Sequence, residues 1–372
     1  MTHGEENWPG ARMFRPIDTA VTMVLGGQVN AEHRRECAIM RRRRSLAGWG
    51  AAVGLSVVCL VSVAQAQPSA DEVLANAGLT AADKQSVLGG QFVNVSVGAV
   101  SERDLSFAIV FVVKKSPEEL AKKMIAGELI TSDAQVKAFG KLSAAGSLGD
   151  FAKLTISSDE AKVLSSAKAG DRLNLSASEI AAFKALAGGT TEAVQQQLRR
   201  MLLARYQAYR ASGLGGIAPY DRGDGRTSDP AADLRKASQA AQGLQKYLPA
   251  FHKVLLDYPQ ATLPEMQEGF YWLKSLIHGE VTYALAHDLL APDGAARAFA
   301  RREFYVSTSY NTEQSVGGFL PVQGGTMVLS TVHAFTDQVA GLGGSMKRGI
   351  GSTVMAGKMK EIYEAARDQA QR

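Results

Sequence analysis

Four histidines in the C-terminal part of this sequence, His252, His278, His287 and His333, are its first candidates for chemistry. No two of them are spaced i, i+2 or i+4, so no single helix or strand presents a metal-binding pair. His-Glu-x-x-His is absent, and no Gly-x-Ser-x-Gly elbow stands at a strand-to-helix turn. Neither a metal nor a cofactor is expected. His287 falls in "EVTYALAHDLL", where Val281, Tyr283, Leu285 and His287 share one face at the two-residue period of a strand. His333 ends a similar face with Met327, Leu329, Thr331 and Phe335. Approach of His287-Asp288 and His333 across a sheet would give an acid–base or metal site. The same residues, satisfied locally, are ordinary core histidines.

Amphipathic aromatic residues crowd the same region: Tyr271, Trp272, Tyr283, Phe304, Tyr305, Tyr310 and Phe335. An apolar strand face with a few polar tips lines small-molecule pockets, and it equally forms a plain core beneath a helix. Tyr283, His287, Tyr305, Tyr310 and His333 are the candidate ligand contacts. Lys347 and Arg348 join them from "GLGGSMKRGIGS", Gly341 to Ser352. That stretch is no phosphate loop, because Arg348 follows the lysine and no glycine precedes it. It is no dinucleotide fingerprint either, because Met346 takes the place of the third glycine. It is expected to be a turn opening the last helix, whose N-terminus beside Lys347 and Arg348 suits an anion such as a lipid headgroup phosphate. "GLGGIAPYDRGDGRTSDP" offers only Asp221 and Asp224 as acids against Arg222 and Arg226, so a structural loop is expected there rather than a calcium site.

The N-terminal region bounds where such chemistry would operate. Met40 is followed by four arginines, an apolar run from Leu46 to Val63, and Ala64-Gln65-Ala66. Basic, apolar and small-x-small segments in that order predict a secretory signal starting at Met40 and cleaved after Ala66. A membrane anchor needs about 20 apolar residues, and none is expected after cleavage. The protein is therefore expected in the periplasm or secreted. Residues 1–66 hold both cysteines, Cys37 and Cys59, so a chain beginning at Gln67 has no disulfide, thiol nucleophile or thiolate site. They also hold eight of the 41 basic residues and five of the 36 acids. The remaining chain is near neutrality, and the charge balance gives no case for nucleic-acid binding.

The elements that must position the candidates follow from caps, periods and breakers. "QFVNVSVGAV" and "DLSFAIVFVV" around Ser101-Glu102-Arg103 predict a hairpin. Ser116-Pro117-Glu118-Glu119 is a capping box with proline in the first turn. Residues 130–278 predict a large helical insertion that includes Thr191–Ser212, a helix near Ala231–Tyr247 and another over Leu263–Ile277. After Gly279, "REFYVSTSY", "SVGGFLPV" and "TMVLSTVHAF" are strand-like, and Met355, Met359, Ile362 and Ala366 mark a terminal helix. The expected fold is α+β: residues 67–372 form one domain, an antiparallel sheet packed against a long C-terminal helix.

Strand, "KKSPEELAKKM", late antiparallel strands and a long last helix together resemble the helix-grip (START-like) architecture. That resemblance implies a curved sheet around the helix with an apolar ligand held between them. "ARYQAYRASGLGGIAPY", "LPAFHKVLLDYP", "FYWLKS", "REFYVSTSY" and "GLGGSMKR" are similar to a group of uncharacterised exported bacterial proteins, which implies no activity. The leading expectation is an exported protein binding an apolar or amphipathic, lipid-like molecule. An exported hydrolase or lyase using His287, His333 and Tyr305, and an envelope interaction module without a small ligand, are the alternatives.

Overall fold

The computed structural model describes residues 69–341 and 343–371. The expected signal segment, its start at Met40 and its expected cleavage after Ala66 lie outside the described residues. In chain order, helices α1 (Ala70–Asn76) and α2 (Ala81–Leu88) precede strands β1 (Val93–Ser96) and β2 (Asp104–Val113). Helix α3 (Pro117–Ala126) and strand β3 (Val136–Lys141) follow. The insertion holds α4 (Ser158–Ser165), α5 (Ala177–Lys184), α6 (Thr191–Ser212), a ribbon of β4 (Tyr220–Asp221) and β5 (Thr227–Ser228), then α7 (Pro230–Ala240), α8 (Gln242–Tyr247) and α9 (Pro249–Asp257). Strands β6 (Gln267–Ile277), β7 (Glu280–Asp293), β8 (Ala296–Val306), β9 (Thr312–Val322) and β10 (Gly325–Phe335) run as a meander into α10 (Gly344–Gln371).

The fold is α+β, built on one eight-stranded antiparallel sheet in the order β1-β2-β10-β9-β8-β7-β6-β3. Local chemistry sets its register. Ile277 pairs with Glu280 across His278 and Gly279, both left-handed at φ 48° and 81°. Two left-handed residues make the hairpin turn whose twist matches its strands. His278 is thus a turn residue. Helix starts are fixed by side chains: Ser116 accepts from the Glu119 amide while Glu119 reaches back to the Ser116 amide, and Pro117 takes the first turn. Ser157 with Glu160 and Ser176 with Glu179 repeat the device at α4 and α5.

Both faces of the sheet are covered. Against one lie α3 and α10, which bury Phe107, Ile109, Phe111, Phe299, Phe319, Val328 and Val332 under Leu120, Met124, Met355 and Met359. Gly351 lets α10 come close, since a β-carbon there would stand 2.9 Å from Leu105 Cδ2. The other face carries α1 and α2 over β2 and β10, and the helices of the insertion over β6 to β9. Helix α6 inserts Leu198, Met201, Leu202, Tyr206 and Tyr209 at helical spacing into this second core.

Three expectations need correction. Residues 130–278 are not helical throughout: Leu263–Ile277 contains strand β6, and β3 opens the segment as the sheet's last strand. Phe270 and Trp272 face the insertion while Tyr271 and Leu273 face the other side. A strand buried on both faces loses its polar alternation, and period alone cannot tell it from a helix. "LPAFHKVLLDYP", read as a separator, is helix α9 with Pro249 in its first turn. Residues 231–247 form two helices, broken at Ala241, rather than one.

The α6 end depends on Gly213, at φ 55° and ψ −131°, a region open to glycine alone. A β-carbon there would fall 1.7 Å from the Tyr258 carbonyl oxygen. Gly213→Ala is expected to lower the unfolding free energy by more than about 2 kcal/mol. A urea titration measures this; Gly215→Ala, where a β-carbon meets nothing within 4 Å, is the control.

Candidate functional site

Sheet register places His287, Arg302, Gln314 and His333 in one row across β7, β8, β9 and β10, all facing the insertion side. Arg302 is the centre. It is 1 % exposed and pairs with no carboxylate among the described residues. Neutral acceptors satisfy it: Nε and Nη2 donate to Gln314 Oε1 at 3.0 and 2.7 Å, Nη2 to the Leu255 carbonyl at 2.8 Å, and Nη1 to Tyr209 Oη at 3.1 Å. The Tyr209 hydroxyl donates to His287 Nδ1 at 3.1 Å, and His287 Nε2 donates to Glu268 Oε2 at 3.2 Å. The rings are held by stacking, Tyr209 on Phe304 at 4.0 Å and His287 on Phe270 at 3.9 Å.

Burial is the largest influence on His287 and pushes it down to about 4 against the pull of Glu268, so the ring is neutral at pH 7. Burial disfavours ionisation of Glu268, but hydrogen bonds from His287 and Arg210 outweigh it and hold the carboxyl at about 2. Glu268 is the member of the chain that reaches solvent, in a recess of about 440 Å³ lined also by Arg210, Lys141, Ser143 and Phe270. A permanently ionised Glu268, paired with Arg210, backs this recess with charge and is a poor proton acceptor. His333 binds a separate acid: its Nδ1 lies 2.9 Å from Asp104 Oδ2. Two strands separate His287 from His333, roughly 14 Å across the sheet. Tyr305 stands apart from both, its ring under the Arg205 guanidinium at 4.3 Å. The expected His287–His333–Tyr305 nucleus is therefore three separate settings on one face.

The opposite face, below α10, holds a different cluster. Asp288 binds Arg301 Nη1 through both oxygens at 3.0 and 3.1 Å, and Glu303 lies 4.0 Å from Arg301. Tyr310 donates to Glu303. Glu313, paired with Glu303 across β8 and β9, feels Glu303, Arg301 and Asp133 and makes no hydrogen bond among the described residues. Burial, reinforced by the Glu303 charge, pushes Glu313 up to about 8, and burial raises Asp288 to about 6 despite Arg301. Water still reaches the cluster, because the Arg301 side chain is 22 % exposed. Tyr363 of α10 stands over it, bonded to Ser330 at 2.9 Å and close to Glu313 and Arg301.

The expected contact residues thus divide. Tyr283, His287, Tyr305 and His333 belong to the insertion side, where Tyr283 donates to Glu160 at 3.1 Å. Tyr310 belongs to the helix side. Lys347 is exposed on α10, and Arg348 Nη1 donates to the Glu102 carbonyl at 3.1 Å. Residue types alone did not single out Arg301, Arg302, Glu303 and Glu313. Their alternation does: Arg302 is the one charge on a strand face otherwise made of Ala298, Ala300 and Phe304, and Arg301 and Glu303 share the face that the terminal helix covers. Among the described residues no group of three histidines or acids could hold a metal, and no helix is long and apolar enough to cross a membrane.

His287 gives a signed pH dependence. Its folded value lies below the ordinary one near 6.5, so its contribution is complete above about pH 6.5 and is lost as pH falls through about 4. Glu268 adds a later loss, from its ordinary value of 4.5 down to about 2. Urea midpoints measured from pH 7 to 4 should fall steeply for the wild type and less steeply for His287→Gln; equal slopes would refute the neutral buried histidine. No protein-family model, no curated protein and no solved structure matches this chain.

Proposed function

We propose that the protein is an exported binding protein for an amphipathic small molecule, held between the sheet and α10 with a cationic head at the Asp288–Glu313 cluster. One observation carries the reading: Asp288, Glu303 and Glu313 gather around a single guanidinium, Arg301, with Asp133 beyond Glu313 and near Lys358. Three carboxylates against one arginine leave acid in excess within the cluster. Burial raises both Glu313 and Asp288, Glu313 further through the Glu303 charge and Asp288 despite Arg301, so the excess acid keeps protons that an added cation would displace.

The apolar core of β2 and β10 continues from this cluster under Met355 and Met359, so an aliphatic tail would enter by displacing these flexible methionines. Tyr271, Tyr310 and Tyr363 border the acids, and aromatic faces favour ammonium groups. The export segment supplies the compartment. A substituted or quaternary ammonium on a medium-length chain fits both halves of the lining.

Protonation and binding are then linked. Glu313 must ionise to meet a cation, so affinity should rise with pH up to about 8 and binding near pH 7 should release protons. Without ligand the same group acts oppositely on stability: its contribution is complete below about 4.5 and is lost as pH rises through about 8. Decyltrimethylammonium below its micellar concentration should raise the melting temperature of the wild type and do so less for Glu313→Gln. Decyl sulfate should not. Equal shifts from both surfactants, or no loss in Glu313→Gln, would sink the reading.

A further inference from the structure

A donor and an acceptor, each without a partner, stand side by side on β9 and β10. Gln314 and His333 pair directly in the sheet, on the side that the insertion covers, and are 1 and 3 % exposed. Gln314 Oε1 accepts from Arg302 at 2.7 and 3.0 Å and from Ser238 at 3.0 Å. Those three bonds fix the amide, because turned over it would set its NH2 against the guanidinium. Gln314 Nε2 is thus a buried donor, and it has no hydrogen-bond partner among the described residues. His333 has the opposite need. Asp104 Oδ2, which also accepts from the Val100 amide at 2.7 Å, lies 2.9 Å from His333 Nδ1 and accepts its proton. In the neutral ring Nε2 is then an acceptor, and it makes no hydrogen bond among the described residues. Paired residues on one face have β-carbons roughly 5 Å apart, yet this donor and this acceptor do not meet.

We propose that a hydroxyl group bridges the pair, accepting from Gln314 Nε2 and donating to His333 Nε2, and that it is the head of an aliphatic alcohol lying along the sheet. The chemistry selects the head. An ammonium only donates and a carboxylate only accepts, whereas a hydroxyl does both through one atom. The floor beside the pair suits the tail. Val316 and Gly318 of β9, Thr331 and Leu329 of β10, and Val95 of β1 continue the same face away from His333. All but Val316 are only half buried. Gly318 leaves room above the strand, since an added β-carbon would come no closer than 3.6 Å to its neighbours. Packing within the chain therefore does not demand glycine there. The pair lies on the opposite face of the sheet from the Asp288–Glu313 cluster, so this proposal does not rest on the ligand placed there.

A buried water has the same two-way hydrogen bonding as an alcohol head, and the experiment separates the two sources. Calorimetry should show saturable binding of 1-octanol, tighter by about tenfold or more than its isomer 1-methoxyheptane, which accepts but cannot donate. In protein carrying nitrogen-15 histidine, octanol should shift the His333 Nε2 resonance and the ether should not. Gly318→Val, which fills the floor without touching the polar pair, should weaken octanol binding by about tenfold at unchanged melting temperature. Gln314→Glu keeps an acceptor for Arg302 but removes the donor, and should erase the preference for octanol over the ether. Absence of saturable octanol binding, equal affinity for the two isomers, or unchanged affinity in Gly318→Val overturns the proposal. So does a His333 Nε2 resonance that saturating octanol leaves in place, which would assign the bridging oxygen to a resident water.

Discussion

The burial of Arg302 is the constraint on which the architecture turns. A guanidinium with no counter-ion in a protein interior is tolerated only when all its donors are met, because an unpaired buried charge costs several kcal/mol. Arg302 meets this demand through groups on β9, α6, α7 and α9: Gln314, Tyr209, Ser238 and the Leu255 carbonyl. Each comes from a different element, so the helices of the insertion must be in place together for the strand to be stable. Directional bonds to one cation thus fix how the insertion sits on the sheet, where apolar packing alone would allow several placements.

The same row shows why histidines and tyrosines inside a protein are poor guides to activity. Tyr209 and His287 have the geometry of a proton relay, yet both ends of that relay are pinned: Arg302 at one, and at the other Glu268, which is itself held by Arg210. A group kept at about 2 and a histidine kept at about 4 do not exchange protons with a substrate near neutrality. His252 shows the same economy in a smaller way, with Nε2 bonded to the Ser238 carbonyl at 2.9 Å, one more tie between α7 and α9.

Much of the scaffold was legible in the sequence because its signals are local. Ser116-Pro117-Glu118-Glu119 begins a helix by chemistry contained in four residues, and the first hairpin and β7 to β10 alternate or punctuate clearly. Strand β6 was not legible, because both of its faces are buried and "GFYWLKS" carries no period. Strand β3 was missed for the opposite reason, being short and half-exposed. The candidate sites were legible only in residue type. His287 and His333 do face the same way, as their strand periods indicate, but β8 and β9 of the meander stand between them, and residue type carries no sign of that separation. Tyr310 falls on the other side because Glu303 binds it there, across a turn where the strand period no longer applies.

Arg301 and Arg302 are neighbours in one strand and show what separates scaffold from candidate site. Alternation sends them to opposite faces. Arg302 finds neutral acceptors for its donors, and only the Gln314 Nε2 beside it is without a hydrogen-bond partner among the described residues around it. Arg301 finds carboxylates in excess: Asp288 and Glu303 in contact or nearly so, and Glu313 beyond them with no hydrogen bond. A balanced buried charge needs no external partner and can only hold structure. An imbalance that water still reaches is held at a cost to the folded state, and a ligand of opposite charge relieves it. Charge balance around buried side chains, more than the presence of histidine or tyrosine, is therefore what directs attention to the Asp288–Arg301–Glu313 cluster.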